Sequence, residues 1–207
     1  MKRYLIGAVL LLASAVMFAQ DPTEIAGHRL GESFQDWLSR SQIEMEKICR
    51  PHSRSDKLAA SKSDCKLLSS IRDGEAGTFY TTSKDQKIKF GWLFVGGKVA
   101  EVSMEQILDF DATGSYVHVS TAQEQIRLLT QAYGPPSKTE TDTYQNDYGV
   151  KYDAVKAAWN MPDGTLIQAA ETLTFTDGLG RHWNVRFISK QRAEELAKAQ
   201  EKNPYLK

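Results

Sequence analysis

Cysteine is scarce: 207 residues contain two, Cys49 and Cys65. There is no Cys-x-x-Cys, and the nearest histidine is His52. A thiol-redox motif and a zinc cluster are therefore poorly supplied. An excess of one charge is also missing. Lys+Arg and Asp+Glu both total 26, so the formal net charge is zero. This removes the overall basic character expected of a nucleic-acid-binding chain, and no nucleic-acid partner is expected. Beyond residue 19 no long apolar run occurs, so no membrane span is expected in the remainder.

Catalytic signatures are equally sparse. The sequence has no His-Glu-x-x-His, phosphate-binding Walker loop, dinucleotide glycine fingerprint or Gly-x-Ser-x-Gly elbow. The four histidines, His28, His52, His118 and His182, form no close ligand pair. His182 neighbours Trp183 in an alternating run, so a solvent-facing strand position is expected for it. Asp109, Asp111, Thr113 and Gly114 imitate the start of a calcium loop. Ser120 stands where the bidentate Glu would close it, and an ordinary acidic loop is the expectation. Accordingly no catalytic residue, metal ligand or cofactor is assigned.

What is present points to export. Lys2 and Arg3 precede an uncharged, mostly apolar run over 4–19, with small residues at Ala13, Ala15 and Ala19. Charge, apolar stretch and small residues make a secretory signal peptide, with cleavage expected near Ala19. The 16-residue run is short of the roughly 20 residues a helical span needs. The mature chain would then carry 24 basic and 26 acidic residues. A periplasmic or secreted location follows. In an oxidising compartment Cys49 and Cys65 are expected to form a disulfide. Such a bridge contributes on the order of 3 kcal/mol in the chain-entropy model.

The remaining pattern has two halves. Residues 20–29 read as a polar lead-in. Ser33 and Asp36 form a capping box, and Phe34, Trp37, Leu38, Met45 and Ile48 share one face of a helix expected over 32–48, before Pro51. Leu67, Leu68 and Ile71 suggest a second helix, stopped at Asp73-Gly74. A β-rich run follows over 78–82 and period-two alternation over 88–94, then a Gly96-Gly97 hairpin and a return strand over 98–105. Thr121 and Glu124 open another helix, which Gly134-Pro135-Pro136 ends. Alternation resumes at Thr139, Thr141 and Thr143. It continues through Val155, Ala157 and Trp159, turns at Pro162-Asp163-Gly164, and returns over 166–175 and 183–187. Residues 191–202 read as a solvated helix.

Hairpin-linked strands with segregated helices argue for an α+β fold with antiparallel sheet, built from tandem helix-plus-meander units whose helices pack on one face. The expected divisions are a signal peptide at 1–19, a first unit with the disulfide at 20–110, a second unit at 111–190, and a C-terminal helix and tail at 191–207.

Leu30-Gly31-Glu32-Ser33 at a helix start, and Ala132-Tyr133-Gly134-Pro135-Pro136 running into strands, carry a resemblance. The chain resembles the small exported α+β modules of the SmpA/OmlA-type outer-membrane assembly lipoproteins and of the β-lactamase inhibitor protein, which has two such units in tandem. The resemblance implies helices packed on a small antiparallel sheet and a protein partner. It assigns no binding residue. No cysteine stands directly after the cleavage region, so the lipid anchor of the lipoproteins is not implied.

A sheet covered on one face leaves the other open. Tyr144, Tyr148 and Tyr152 lie on stretches without a clear apolar side and are the expected binding residues, because exposed tyrosines suit protein or peptide interfaces. The functional expectation is a non-catalytic protein- or peptide-binding module of the bacterial cell envelope. The alternatives are an exported hydrolase with an acid/base pair near His182 or His118, and a structural envelope component.

Overall fold

The computed structural model describes residues 24–43, 45, 49, 59–83, 88–106, 109–110, 116–117, 121–145, 148–174 and 180–202. The leader expected over 1–19 lies outside them. The expected lead-in instead contains a miniature hairpin, β1 (Glu24–Ile25) and β2 (His28–Arg29). Ala26 and Gly27 turn it with φ of 51° and 81°. Ile25 and His28 both point inward and are buried, which explains why this polar stretch orders.

Helix α1 (Phe34–Arg40) starts as its capping box requires: the Ser33 hydroxyl accepts the Asp36 N–H at 3.1 Å. Phe34, Trp37 and Leu38 are its buried face. The single helix expected over 32–48 is interrupted. Gln42 takes a left-handed φ of 54°. Its N–H returns to the Ser39 carbonyl and that of Ile43 to Leu38, a Schellman closure. Helix α2 (Ala59–Arg72) follows and buries Leu68 and Ile71. Cys49 and Cys65 are joined by a disulfide with Cα atoms 5.1 Å apart, tying the segment after α1 to α2.

Strands β3 (Gly77–Ser83), β4 (Ile88–Val95) and β5 (Lys98–Gln106) form the first meander. Gly96 and Gly97 turn β4 into β5, both with positive φ. Short strands β6 (Asp109–Phe110) and β7 (Tyr116–Val117) pair in the connector. Residues 111–115 and 118–120, and with them most of the calcium-loop imitation and His118, lie outside the described residues. Helix α3 (Ala122–Tyr133) is capped by Thr121, which accepts the Glu124 N–H, and it ends at Gly134. The second meander is β8 (Lys138–Gln145), β9 (Lys151–Asn160), β10 (Leu166–Thr174) and β11 (Gly180–Ile188). Helix α4 (Lys190–Lys202) closes the described chain with no buried residue, as expected of a solvated helix.

The two meanders form one seven-stranded antiparallel sheet, ordered β3-β4-β5-β11-β10-β9-β8. The halves meet where β5 pairs with β11, in the register Val102↔Phe187 and Met104↔Val185. Because successive side chains alternate faces, one face collects Phe90, Trp92, Phe94, Val102, Val185, Phe187, Ile167 and Trp159, all buried. Helices α1 to α3 cover it. Trp37, with no exposed surface, contacts the rings of Phe79, Trp92 and Phe94. Tyr133 of α3 meets Phe187, and the Trp159 indole donates to the Gly134 carbonyl at 2.9 Å. The fold is α+β, richer in strand than in helix, with helices against one face of the sheet.

Candidate functional site

On the opposite face the strands present their other residues. Across the sheet, Tyr80, Gly91, Ser103, Arg186, Gln168, Ala158 and Lys138 lie in one paired row. The next row holds Lys89, Glu105, Asn184, Ala170, Lys156 and Glu140. Two small residues, Ala158 and Ala170, sit among long ones. The result is a depression of about 350 Å³, lined also by Lys138, Glu140, Lys156, Gln168, Asn184 and Arg186.

The rim is charged, and its charges are paired. Arg186 grips Glu101 with two bonds, at 2.7 and 3.0 Å, and reaches Gln168 at 3.3 Å. Lys156 donates to Asp142, which holds the Asp142 carboxyl below its ordinary range and the Lys156 ammonium above its own. Lys138 pairs with Glu140 at 2.6 Å. Pairing keeps the long side chains along the walls and leaves the alanine floor open. Toward the other edge the Tyr80 ring covers Gly91, and the Lys89 ammonium lies 4.4 Å from the centre of that ring.

The three tyrosines singled out by sequence fall at the outer end of this face. Tyr144 and Tyr152 are register partners on β8 and β9. They share the face of Lys156 and Glu140. Tyr148, in the intervening turn, is 92% exposed. Tyr80, also exposed, belongs to the same face, whereas Phe79 is buried in the core. His182 differs from expectation: it faces the open side yet is 8% exposed, with Nε2 3.6 Å from a Glu105 oxygen. Among the described residues no three of His, Cys, Asp and Glu converge as a metal cluster.

A second constellation lies under α1 and was not visible in the sequence. The imidazole of His28 packs against two indoles, 5.6 Å from Trp37 and 4.8 Å from Trp92, which are themselves 5.9 Å apart, so the three rings form a triangular cluster. Its Nδ1 faces Glu32 Oε2 at 3.3 Å and its Nε2 faces Ser41 Oγ at 3.0 Å. The Glu32 carboxylate also accepts the Arg29 N–H at 2.9 Å and pairs with Arg40 at 3.3 Å. Burial holds the His28 pKa below 6.5, against the pull of Glu32. A neutral ring with Nδ1–H on the carboxylate leaves Nε2 to accept the serine proton. Ser41 stands 13 residues from His28, and nothing local in the sequence links them.

Compared with protein-family models, curated proteins and solved structures, the chain matches none.

Proposed function

We propose that the chain is an exported, non-catalytic binding module of a bacterial cell envelope that receives a protein or peptide on the open face of its sheet. The observation that carries this reading is the depression over Ala158 and Ala170, with its charged walls, on the same open face that carries Tyr144 and Tyr152 farther along β8 and β9. Exposed aromatics beside polar groups that can exchange partners are the composition of a non-obligate interface. The disulfide is consistent with an oxidising compartment. No helix among the described residues is long and apolar enough to cross a membrane. The likeness to the SmpA/OmlA-type modules and the β-lactamase inhibitor protein supports the same reading, since both are tandem or single helix-on-sheet modules with protein partners.

The test is retention of envelope proteins by the immobilised chain. Replacing Tyr144, Tyr148 and Tyr152 by alanine, or filling the floor with Ala170→Arg, should reduce retention of specific proteins while the melting temperature holds. An identical retained set from wild type and both variants would sink the proposal.

A second reading, an exported hydrolase, is favoured by the Ser41–His28–Glu32 chain. Turnover is disfavoured by the backbone around Ser41. The N–H groups of Ser41, Gln42 and Ile43 all close the helix end onto Trp37, Ser39 and Leu38. None of the three is left to stabilise an oxyanion.

A further inference from the structure

We infer that Ser41 is an activated nucleophile, a site of covalent modification by small activated acyl or phosphonyl electrophiles, with His28 as its general base. The three groups stand in the order that serine chemistry requires: hydroxyl to Nε2 at 3.0 Å, Nδ1 to carboxylate at 3.3 Å. The ring is held through both nitrogens, by Glu32 and Ser41, and packs against Trp37 and Trp92. Glu32 is itself held by the Arg29 N–H and by Arg40, so the acid that orients the imidazole is fixed from two sides. Burial keeps the imidazole neutral near pH 7, the form that accepts a proton. Ser41 is half-buried at the end of α1, beside the exposed Arg40 and Gln42.

The same geometry limits the reaction. With an alkyl fluorophosphonate, the Ser41 Oγ attacks phosphorus. An O–P bond forms, the P–F bond breaks, and fluoride leaves with the electron pair. The hydroxyl proton moves to His28 Nε2 and is later lost to water. With p-nitrophenyl acetate the acetyl group stays on Ser41 and p-nitrophenolate leaves. Hydrolysis of that acyl-serine passes through another oxyanion, and the neighbouring N–H groups are already committed to the Schellman closure. Modification therefore proceeds with good leaving groups and stops at one equivalent.

The experiment incubates the exported chain with a fluorophosphonate probe and maps adducts by peptide mass analysis. The expected result is an adduct on Ser41 in preference to every other serine, lost in urea and absent from Ser41→Ala. In His28→Gln, checked for folding by its melting curve, labelling should slow by about a hundredfold or more. If that variant does not fold, the comparison of native with urea-treated wild type still decides the matter. No Ser41 adduct, adducts spread evenly over the serines, or undiminished labelling of folded His28→Gln would each overturn the inference. Release of p-nitrophenol should level off near one equivalent; sustained release would overturn the limit to a single modification.

Discussion

Arg186 on β11 and Glu101 on β5 join the two meanders through a two-armed ion pair, 2.7 and 3.0 Å, at the seam where the halves of the sheet meet. The Glu101 side chain is 11% exposed and that of Arg186 33%. A carboxylate this deeply placed depends on its partner, because an isolated charge there loses much of its hydration. The pair thus fastens the seam, and its Arg186 forms part of the wall of the open-face depression.

Arg186→Met should destabilise the chain by about 3 kcal/mol in urea unfolding, since it strands Glu101. Adding Glu101→Leu should recover a substantial part of that loss, because the double variant buries no unpaired charge. Equal midpoints for wild type and Arg186→Met would show that Glu101 is well hydrated without its partner.

The break after α1 supplies a second prediction. Gln42 occupies the left-handed position of a Schellman closure, where glycine is the usual residue. Its Cβ is strained there by about 1 kcal/mol, and glycine would relieve this at a smaller entropic cost. Gln42→Gly should leave the fold intact and raise stability by about 0.5 kcal/mol, read as a higher urea midpoint. A lower midpoint would mean that the Gln42 side chain contributes contacts outweighing the strain.

That position also shows what sequence could and could not convey. Signals acting over three or four residues were legible. Ser33 with Asp36 and Thr121 with Glu124 cap the helices they were expected to cap, and Gly96-Gly97 turns its hairpin. Alternation in 88–94 and 183–187 identified the buried face, and its out-of-phase residue Arg186 could have been read as belonging to the open one. A left-handed Gln42 was illegible because the apolar spacing of Phe34, Trp37, Leu38 and Met45 runs straight through it. The β5–β11 seam was illegible for a different reason: it joins strands some 80 residues apart, and alternation says which face a residue takes but not which strand lies beside it. The Ser41–His28–Glu32 chain failed on both counts. It depends on a hairpin within an apparently polar lead-in and on the very helix break that the periodicity concealed. Of the open face, Tyr144 and Tyr152 were singled out because their stretches have no clear apolar side, and both lie on that face. The alanine floor was missed because alanines are silent in such patterns.

His28 gives the third prediction, in which pH is the variable. The groups facing its ring are Glu32 and Glu24, which favour the charged form, Arg40, which opposes it, and the neutral Ser41, Trp37 and Trp92. Burial is the largest influence, and the folded pKa lies below the ordinary 6.5. The unfolded chain then takes up a proton near pH 6.5 while the folded chain does not. Protons bind preferentially to the unfolded state over that interval, so the contribution is complete above about pH 6.5 and declines as pH falls toward the folded pKa. Below the folded pKa both states are protonated and this dependence ends. The slope from this one group cannot exceed about 1.4 kcal/mol per pH unit. Urea midpoints measured from pH 8 to pH 5 should fall more steeply for wild type than for His28→Gln. That difference should disappear once both states of the histidine are charged. Parallel curves would show that the imidazole titrates alike in the folded and unfolded chain. The ring packed against Trp37 and Trp92 would then be hydrated in solution, and the neutral base on which Ser41 depends would lose its physical basis.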